Sequence, residues 1–298
     1  MKASFAGRCG CGDLSSCRRA RDVPVTGVGL GVLEGFDSYR QRGFVPVGPG
    51  GVKGGATVTL EYALADHGMA RLARMLGRLE EAEEYERRSR RFWVLYDGTT
   101  RRFRPRTVLG MWREPFREES WVGFVEGNAA HYLWAPVHDL EGLAARLGGP
   151  EMMRQELDRF FRKLNSPFGP HHWQGNEHGL HVPFLYAWTG DREAARRVVS
   201  AIAHQLYRAS PRGLPGNDDL GTLSAWYVWA TIGLYPLVPG EPDYVVIGPL
   251  VERVQLWNGR CWVELMPVEE DGRVAVTIDG VKWPQARVTH DELLRCGE

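Results

Sequence analysis

The chain has 298 residues, of which 43% are hydrophobic and 25% charged, so it can bury the core of one large or two smaller globular domains. Its 37 basic and 37 acidic side chains cancel, which leaves no net field to attract nucleic acid or an anionic membrane surface. The sequence has no apolar run near the roughly 20 residues that cross a bilayer. We therefore expect neither a nucleic acid nor a membrane as partner.

The first stretch of the chain, residues 1–21, carries charges but lacks the apolar segment of a secretory signal, so we expect it to be disordered. Three of the five cysteines lie in it, at spacings that do not suit a four-ligand zinc site. The odd total also argues against a complete disulfide framework. The residues alone give no localisation.

Residues 22–235 are predicted to form a helical domain, because apolar residues recur there at helical spacing between loops rich in glycine, proline and aromatic residues. Gly77 is a stop signal, Pro150 opens a helix, and Asp191 is placed to cap another. The predicted helices span residues 57–76, 80–96, 140–147, 150–164, 181–188, 191–207 and 222–234. Helix pairs joined by long loops suggest an α/α toroid, in which loops from one end converge on a central cleft.

Residues 236–298 change to short β-branched or alternating runs separated by Asn-Gly and Asp-Gly turns, which is typical of antiparallel strands. The predicted strands span residues 244–247, 251–257, 261–267 and 273–278. The predicted fold is therefore mainly α, with a toroid followed by a small antiparallel β region.

An acidic loop between glycines presents Asp218 and Asp219 directly before an aromatic helix. Thr222 or Ser224 could cap that helix, and Trp226 with its aromatic neighbours could form the wall of a pocket. A sugar site needs aromatic faces beside carboxylates, because a pyranose presents an apolar C–H face and a rim of hydroxyls. The alternative is a solvated acidic turn, with the aromatic residues in the core.

Two further loops carry residues suited to chemistry. Glu126 lies beside glycine and several aromatic residues, where a carboxyl can be held partly out of water and favour the protonated form of a general acid. Asn176, Glu177 and His178 end another loop, with oxygen atoms suited to sugar hydroxyls or to a hard cation such as calcium. The alternative for both carboxylates is helix capping or a solvated loop.

The ordered set of motifs resembles glycoside hydrolase family 92 over residues 34–298. The motifs are, in chain order, Thr59-Leu-Glu-Tyr-Ala, Arg104-Pro-Arg, Glu126-Gly-Asn-Ala, His138-Asp-Leu-Glu-Gly-Leu, Gly175-Asn-Glu, His181-Val-Pro-Phe-Leu-Tyr, Gly213-Leu-Pro-Gly-Asn-Asp-Asp and Ser224-Ala-Trp-Tyr. No single motif is specific, and the order of the set carries the match.

The resemblance implies a calcium-dependent, exo-acting and inverting α-mannosidase, α-1,2-mannosidase-like, that removes terminal α-linked mannose from glycans. It implies Glu126 as the general acid and Asp219 as the general base, with Asp218 beside it and Asn217 in a supporting position. Inversion requires the two catalytic carboxyls to lie about 6.5 to 9.5 Å apart, with room for water between them.

The same resemblance implies that Asn176 and Glu177 contact mannose hydroxyls and bind the calcium ion. His178 and Trp226 complete the expected contacts with substrate. The expected partner is a mannose-containing glycan or glycoprotein. Intact members of the family are usually exported, which places them in the periplasm or outside the cell.

The chain also departs from the family pattern. Ala130 and His131 replace the Trp-Gln that usually follows the Glu126 motif, and His178 replaces the proline that usually follows Gly-Asn-Glu. Full-length members have an N-terminal β-sandwich and further toroid helices, so the resemblance describes an N-terminally truncated toroid. We expect weak or absent activity of the isolated chain unless a separate N-terminal polypeptide completes the fold.

Two other functions stay open from the sequence. A non-catalytic carbohydrate-binding remnant would keep the aromatic residues and Glu177 but would not need Glu126 or Asp219. Another hydrolase of the α/α-toroid type would use the same acid and base on a different sugar, without calcium.

Overall fold

The computed structural model describes residues 34–270 and 273–295, and the predicted disorder of residues 1–21 falls outside these ranges. The described chain is mainly helical, with small antiparallel sheets that lie mostly towards its C-terminal end, in agreement with the coarse prediction. Within the described ranges, the helices are all too short or too polar to cross a bilayer.

The predicted helices are present, with differences mainly at their ends, and the sequence did not predict the short helices Phe36–Arg42, Ala129–Tyr132 and His290–Leu293. The α-helices are α1 (Phe36–Arg42), α2 (Gly55–Met75), α3 (Leu79–Ser89), α4 (Ala129–Tyr132), α5 (Leu140–Leu147), α6 (Pro150–Phe160), α7 (Leu185–Trp188), α8 (Arg192–Leu206), α9 (Thr222–Ile232) and α10 (His290–Leu293). Short 3-10 turns lie at Arg91–Leu95, Val137–Asp139, Glu177–Gly179, Val182–Phe184 and Asp219–Gly221. Asp191 caps α8 as predicted, because its carboxylate accepts the Ala194 N–H at 2.9 Å.

The helix predicted over residues 80–96 is shorter in the structure. It ends at Ser89, and the aromatic part forms the 3-10 turn Arg91–Leu95. In a 3-10 helix the side chains at positions i and i+3 lie above one another. Phe92 and Leu95 therefore point into one core, where both are fully buried.

The described strands form antiparallel sheets. They are β1 (Tyr96–Asp97), β2 (Arg102–Phe103), β3 (Leu234–Tyr235), β4 (Asp243–Val246), β5 (Val254–Trp257), β6 (Trp262–Glu270), β7 (Arg273–Ile278), β8 (Val281–Lys282) and β9 (Arg287–Thr289). The sheet orders are β1-β2, β3-β4-β9 and β5-β6-β7-β8. The four predicted strands coincide with β4 to β7. The remaining strands are too short for alternation to reveal them.

Two apolar cores support the loops between the helices. The larger contains residues of α5 to α9 and of β4, with Trp134, Phe184 and Trp226 among its buried side chains. The second joins α2 and the Arg91–Leu95 turn to α4, whose Tyr132 is only 5% exposed. The cores meet around the short helix α4, so both determine the position of the loop directly before it.

A buried ion pair fixes α2 against α3. Asp66 is 4% exposed and accepts hydrogen bonds from the Arg88 guanidinium, at 2.6 Å from its Nε, and from the Tyr39 hydroxyl at 2.8 Å. Burial and the Asp66 carboxylate both raise the pKa of Tyr39, so the hydroxyl stays protonated and donates. Within the described chain, Asp66 is the only carboxylate that forms an ion pair with Arg88.

Asp66→Ala should therefore reduce the free energy of unfolding by about 3 kcal/mol or more, because it leaves the Arg88 charge buried and unpaired. Urea denaturation would measure the change. Glu119→Ala is the matched control, since it breaks the exposed pair with Arg117 and should cost less than about 1 kcal/mol. Equal losses in the two variants would contradict the assignment of Asp66 as a structural anchor.

Candidate active site

A cavity of about 370 Å³ opens beside α4, between the loop that precedes this helix, the segment 176–181 and the turn after β3. Its apolar lining includes Leu64, Val137 and Leu237. The polar and aromatic side chains of the lining are Glu61, Glu126, Tyr132, Asn176, Glu177, His178, His181 and Tyr235. The structure thus brings Glu126 together with Asn176, Glu177 and His178, which the sequence predicted as parts of one site.

Glu126 has a backbone conformation that non-glycine residues rarely adopt. Its φ is 51°, in the left-handed region, where an L-residue costs about 1–2 kcal/mol. Three hydrogen bonds hold the loop in this shape. The Val125 carbonyl accepts the Tyr132 hydroxyl at 2.7 Å, and the Val125 N–H donates to the Thr57 hydroxyl at 3.1 Å. The Asn176 amide donates to the Glu126 carbonyl at 2.9 Å.

The Glu126 side chain itself is exposed, so the expected partial desolvation of its carboxyl is wrong for this structure. The aromatic residues near it in sequence pack beneath the loop instead of around the carboxyl. Tyr132, for example, stacks on Phe124 at 5.4 Å between ring centroids. Strained backbone and exposed carboxyl together indicate a residue held in position for contact with something outside the protein.

The residues directly after Glu126 fix the loop to the rest of the site. A side chain at Gly127 would begin 3.0 Å from His178 Nε2, so only glycine fits without displacement. Asn128 is fully buried and caps α4, accepting the N–H groups of Ala130 and His131 at 3.0 and 3.1 Å. Its amide nitrogen donates to the Gly169 carbonyl at 3.0 Å.

Asn176 and Glu177 begin a short 3-10 turn. The Asn176 side-chain oxygen accepts the Glu177 N–H at 3.0 Å, and its nitrogen reaches the Glu126 carbonyl. His178 then lies flat on the Tyr132 ring, with centroids 5.0 Å apart and planes 2° from parallel. Glu177 is half-buried and lines the cavity beside them.

Asp218 and Asp219 lie in a separate exposed loop and do not line the cavity. Asp218 accepts the N–H and the hydroxyl of Ser224, at 3.0 and 2.6 Å, and these bonds lower its pKa. Asp219 extends into solvent just before Leu220, which has a left-handed φ of 53°. Asn217 is exposed as well. The two aspartates therefore differ, since Asp218 braces the start of α9 and Asp219 has no side-chain hydrogen bond in the described chain.

The sequence suggested Thr222 or Ser224 as the side-chain cap of α9, and the structure differs. Gly221 occupies the N-cap position without a side-chain bond. The Thr222 hydroxyl donates back to the Asp219 carbonyl at 2.6 Å. The Asp218 carboxylate accepts the Ser224 N–H, so this free N–H of the first helical turn does not need a hydroxyl cap.

The acidic loop nevertheless contacts the cavity segment through its glycines. A side chain at Gly216 would begin 2.3 Å from the Gly175 carbonyl oxygen, so the two backbones touch. The Asn165 amide bridges them, because its oxygen accepts the Gly175 N–H at 3.1 Å and its nitrogen donates to the Pro215 carbonyl at 3.3 Å. The segment before Glu177 and the loop before Asp219 are thus neighbours.

Trp226, expected among the substrate contacts, lies in the core. It is 1% exposed, stacks on Tyr207 at 5.4 Å and donates its indole N–H to the Leu180 carbonyl at 2.8 Å. It supports the segment that follows the Glu177 turn and does not line the cavity.

Glu61 and Tyr235 line the cavity and were not singled out from the sequence. Desolvation raises the pKa of Glu61, although the residue as a whole is exposed. Glu61 belongs to the motif that starts at Thr59, and its carboxyl group is the sequence signal that could have identified it as a site residue. Tyr235 stacks on Phe184 at 4.1 Å, a contact between distant segments that no local pattern reveals.

Asn176 and Glu177 offer oxygen donors of the type that calcium prefers. The Asn176 oxygen already accepts the Glu177 N–H, which leaves it one lone pair. Among the residues that the structure describes, no group of three or more His, Cys, Asp or Glu is arranged to hold a metal ion. The donors fit calcium in type, and in number only if water molecules or sugar hydroxyls complete the shell.

Histidines surround the cavity segment, of which His131 and His172 are buried and His181 is half-buried. Burial lowers the pKa of His131 and His181 to about 4 and of His172 to about 3. Each ring is held by a hydrogen bond, as when His181 Nε2 donates to the Trp134 carbonyl at 2.8 Å. These imidazoles are therefore neutral in the folded protein near pH 7.

We expect the free energy of unfolding to fall as the pH drops from about 6.5 to 4. Below about pH 6.5 the unfolded chain binds a proton at each of these histidines and the folded chain does not, so each contributes a slope of up to about 1.4 kcal/mol per pH unit. His172→Gln should flatten the profile, measured by denaturation at several pH values. A wild-type profile that is flat over this range would refute the expectation.

Replacing Glu126 tests the backbone strain directly. Glu126→Gly should be more stable than Glu126→Ala by about 1 kcal/mol, because glycine adopts positive φ without a steric cost. Glu83 provides the control, since it is exposed within α3 and there alanine should exceed glycine by about 1 kcal/mol. Urea midpoints for the four variants would show the reversal, and the same order at both positions would exclude strain at Glu126.

Comparison with known proteins identifies the family. Residues 17–298 match the model of the glycosyl hydrolase family 92 catalytic domain. A family 92 α-mannosidase from Bacteroides thetaiotaomicron is 28% identical with a TM-score of 0.78, over 87% of this chain and 35% of that one. Its structure is also known in complex with mannoimidazole. An inverting mannosidase from the same organism is 27% identical with a TM-score of 0.73, over 87% of this chain and 38% of that one.

An uncharacterized secreted glycosidase of Arthroderma benhamiae is 25% identical over 253 residues, which cover 74% of this chain and 32% of the relative. The chain thus spans about a third of the length of the proteins that it matches. The match to the family model extends over nearly the whole sequence, including every loop that forms the cavity. The chain belongs to glycosyl hydrolase family 92.

Proposed function

We propose that this chain carries the general acid and the sugar-binding wall of an α-mannosidase that hydrolyses terminal α-linked mannose in glycans. One observation supports this most directly. Glu126, with its strained backbone, lies at the edge of the same cavity as Asn176 and Glu177 and is hydrogen-bonded to Asn176. Membership of family 92 and the mannoimidazole complex of a relative support mannose as the sugar.

The cavity has the mixed lining that a pyranose requires. Tyr132 and Tyr235 offer ring atoms for the apolar face of the sugar, while Asn176 and Glu177 offer polar atoms for its hydroxyls. The linkage preference is proposed to be α-1,2-like, as the family resemblance implies. The substrate is a mannose-containing glycan or glycoprotein, met outside the cytoplasm, as for the relative that is described as secreted.

In the proposed reaction the Glu126 carboxyl protonates the departing glycosidic oxygen, and a carboxylate on the other side of the sugar ring activates water. We assign the second role to Asp219. Its neighbour Asp218 has its oxygens engaged by Ser224, whereas Asp219 keeps its lone pairs for a water molecule. Asp218 then positions the loop, and Asn217 is adjacent to it.

Asp219 lies outside the cavity lining. To act as the base on a sugar in the cavity, it requires either closure of its loop over the cavity or additional polypeptide that extends the cavity wall to it. The contact between Gly175 and Gly216 keeps that loop beside the segment of Glu177. We propose that the helices belong to an α/α toroid and that polypeptide corresponding to the rest of the longer relatives completes the site.

We also propose calcium as the cofactor, held by Glu177 and Asn176. Such an ion would favour a distorted sugar ring and would fix its orientation. The fit of donor type supports the assignment, and the remaining ligands would come from water and from the sugar. Asn176 would keep its hydrogen bond to Glu126, so ion binding and the position of the acid are coupled.

A second candidate is a non-catalytic mannoside-binding module. It is favoured by the exposure of Glu126 and by the position of Asp219 outside the cavity lining. Such a protein would use Glu177, Asn176 and the tyrosines in the same way and would release no mannose.

Calorimetric titration of a non-hydrolysed mannose-type inhibitor separates these cases. We expect binding in the presence of calcium, loss of binding with a chelator, and at least tenfold weaker binding by Glu177→Gln. Glu119→Gln is the control and should bind normally, because Glu119 is half-buried outside the cavity lining and is paired only with Arg117 among the described residues. Absence of binding by the folded wild-type chain in both conditions would refute the proposal.

Kinetics then distinguish enzyme from binding module. If the wild-type chain releases mannose, Glu126→Gln and Asp219→Asn should each lower kcat by about 10² to 10⁴ while inhibitor binding persists. Calcium-dependent binding without any release would favour the second candidate. A large kcat loss in Asp218→Asn with none in Asp219→Asn would reverse the assignment of the base.

A further inference from the structure

We propose that Trp121, Trp173 and Phe168 form a platform for the leaving-group sugar, the unit to which the terminal mannose is attached. The inference rests on the proposed function, because the platform needs a mannose-binding cavity at its end. It adds a second sugar position outside the cavity and names the residues that would determine which glycans fit.

The three rings continue the wall of the cavity outwards. His178 lines the cavity, and the Trp173 ring meets it edge to face, with centroids 6.0 Å apart. Trp121 follows Trp173 at 6.2 Å, and Phe168 stacks on Trp121 at 5.9 Å with planes 29° apart. One unbroken series of ring contacts therefore leads from the cavity to the surface.

The outer rings are exposed to a degree that packing does not explain. Phe168 is 78% exposed and Trp121 is 36% exposed. Each ring leaves apolar surface exposed to water, which costs about 25 cal/mol of free energy per Å². Adjacent exposed apolar side chains indicate a surface that binds something. Flat, adjacent rings suit the C–H face of a pyranose, which stacks on aromatic side chains without needing a buried hydrogen bond.

The position of the platform selects the leaving group as its occupant. Both outer rings belong to segments joined to the proposed acid: Trp121 begins the loop that leads to Glu126, and Phe168 precedes Gly169, whose carbonyl accepts the Asn128 amide. Glu126 protonates the oxygen between the two sugars. The second sugar must therefore extend from that oxygen, on the side of the cavity where Glu126 lies. The ring series begins close to this point, because a side chain at Gly127, the residue after Glu126, would begin 3.0 Å from His178 Nε2.

The test uses the Glu126→Gln chain, which is expected to bind without turnover. Its affinity for an α-linked mannobiose and for methyl α-mannoside would be measured by calorimetry in calcium. Adding Phe168→Ala or Trp121→Ala should weaken mannobiose binding roughly tenfold, the range of one aromatic contact, and change methyl mannoside binding less than about twofold. Phe168→Leu keeps an apolar side chain without a flat ring and should behave as Phe168→Ala.

Trp262→Ala is the matched control. Trp262 is 62% exposed and pairs with Trp257 on the C-terminal sheet, in a ring contact unconnected with the series that starts at His178. It should bind both ligands as the parent chain does.

Unchanged mannobiose affinity in Phe168→Ala and Trp121→Ala would overturn the platform, and so would equal losses for the two ligands, which would mean that the rings only shape the cavity. Retained mannobiose affinity in Phe168→Leu, beside a loss in Phe168→Ala, would indicate a surface for an apolar polypeptide and also overturn it. Failure of the parent chain to bind either ligand is a different result, because it refutes the proposed function first and the platform with it.

Discussion

The side-chain amide of Asn176 holds the candidate site together. Its nitrogen donates to the backbone carbonyl of Glu126 at 2.9 Å and its oxygen accepts the N–H of Glu177 at 3.0 Å, so one group joins the two acidic segments. The residue is only 6% exposed, and water competes poorly for either bond. It is one of three hydrogen bonds that hold the left-handed backbone at Glu126 beside the cavity.

The neutral histidines explain why the cavity carboxylates stay available. His178 and His181 share the cavity lining with Glu61, Glu126 and Glu177. Burial lowers the pKa of His178 to about 3 and of His181 to about 4, so neither ring carries a charge near pH 7. A charged imidazole would pair with the nearest carboxylate and occupy the oxygens that a sugar or a cation needs. The cavity wall thus combines carboxyl groups with uncharged rings.

The sequence predicts those parts of the molecule that depend on local patterns. The Asp191 cap depends on an amide a few residues along the chain, and the strands β4 to β7 carry their own alternation, so both could be predicted. The place of Trp226 could not, because α9 is apolar on several faces and its sequence does not tell which side enters the core. The role of Asn176 depends on a carbonyl at a sequence separation of 50.

The meeting of Gly175 and Gly216 has a consequence for how this site can vary. At this point the two loops touch through main-chain atoms alone, since any side chain at Gly216 would overlap the Gly175 carbonyl. No substitution can therefore adjust the gap gradually, as a change from a small to a large side chain does in a packed core. The distance between the two acidic loops can change only through a different chain path, by insertion or deletion, and such changes arise in discrete steps.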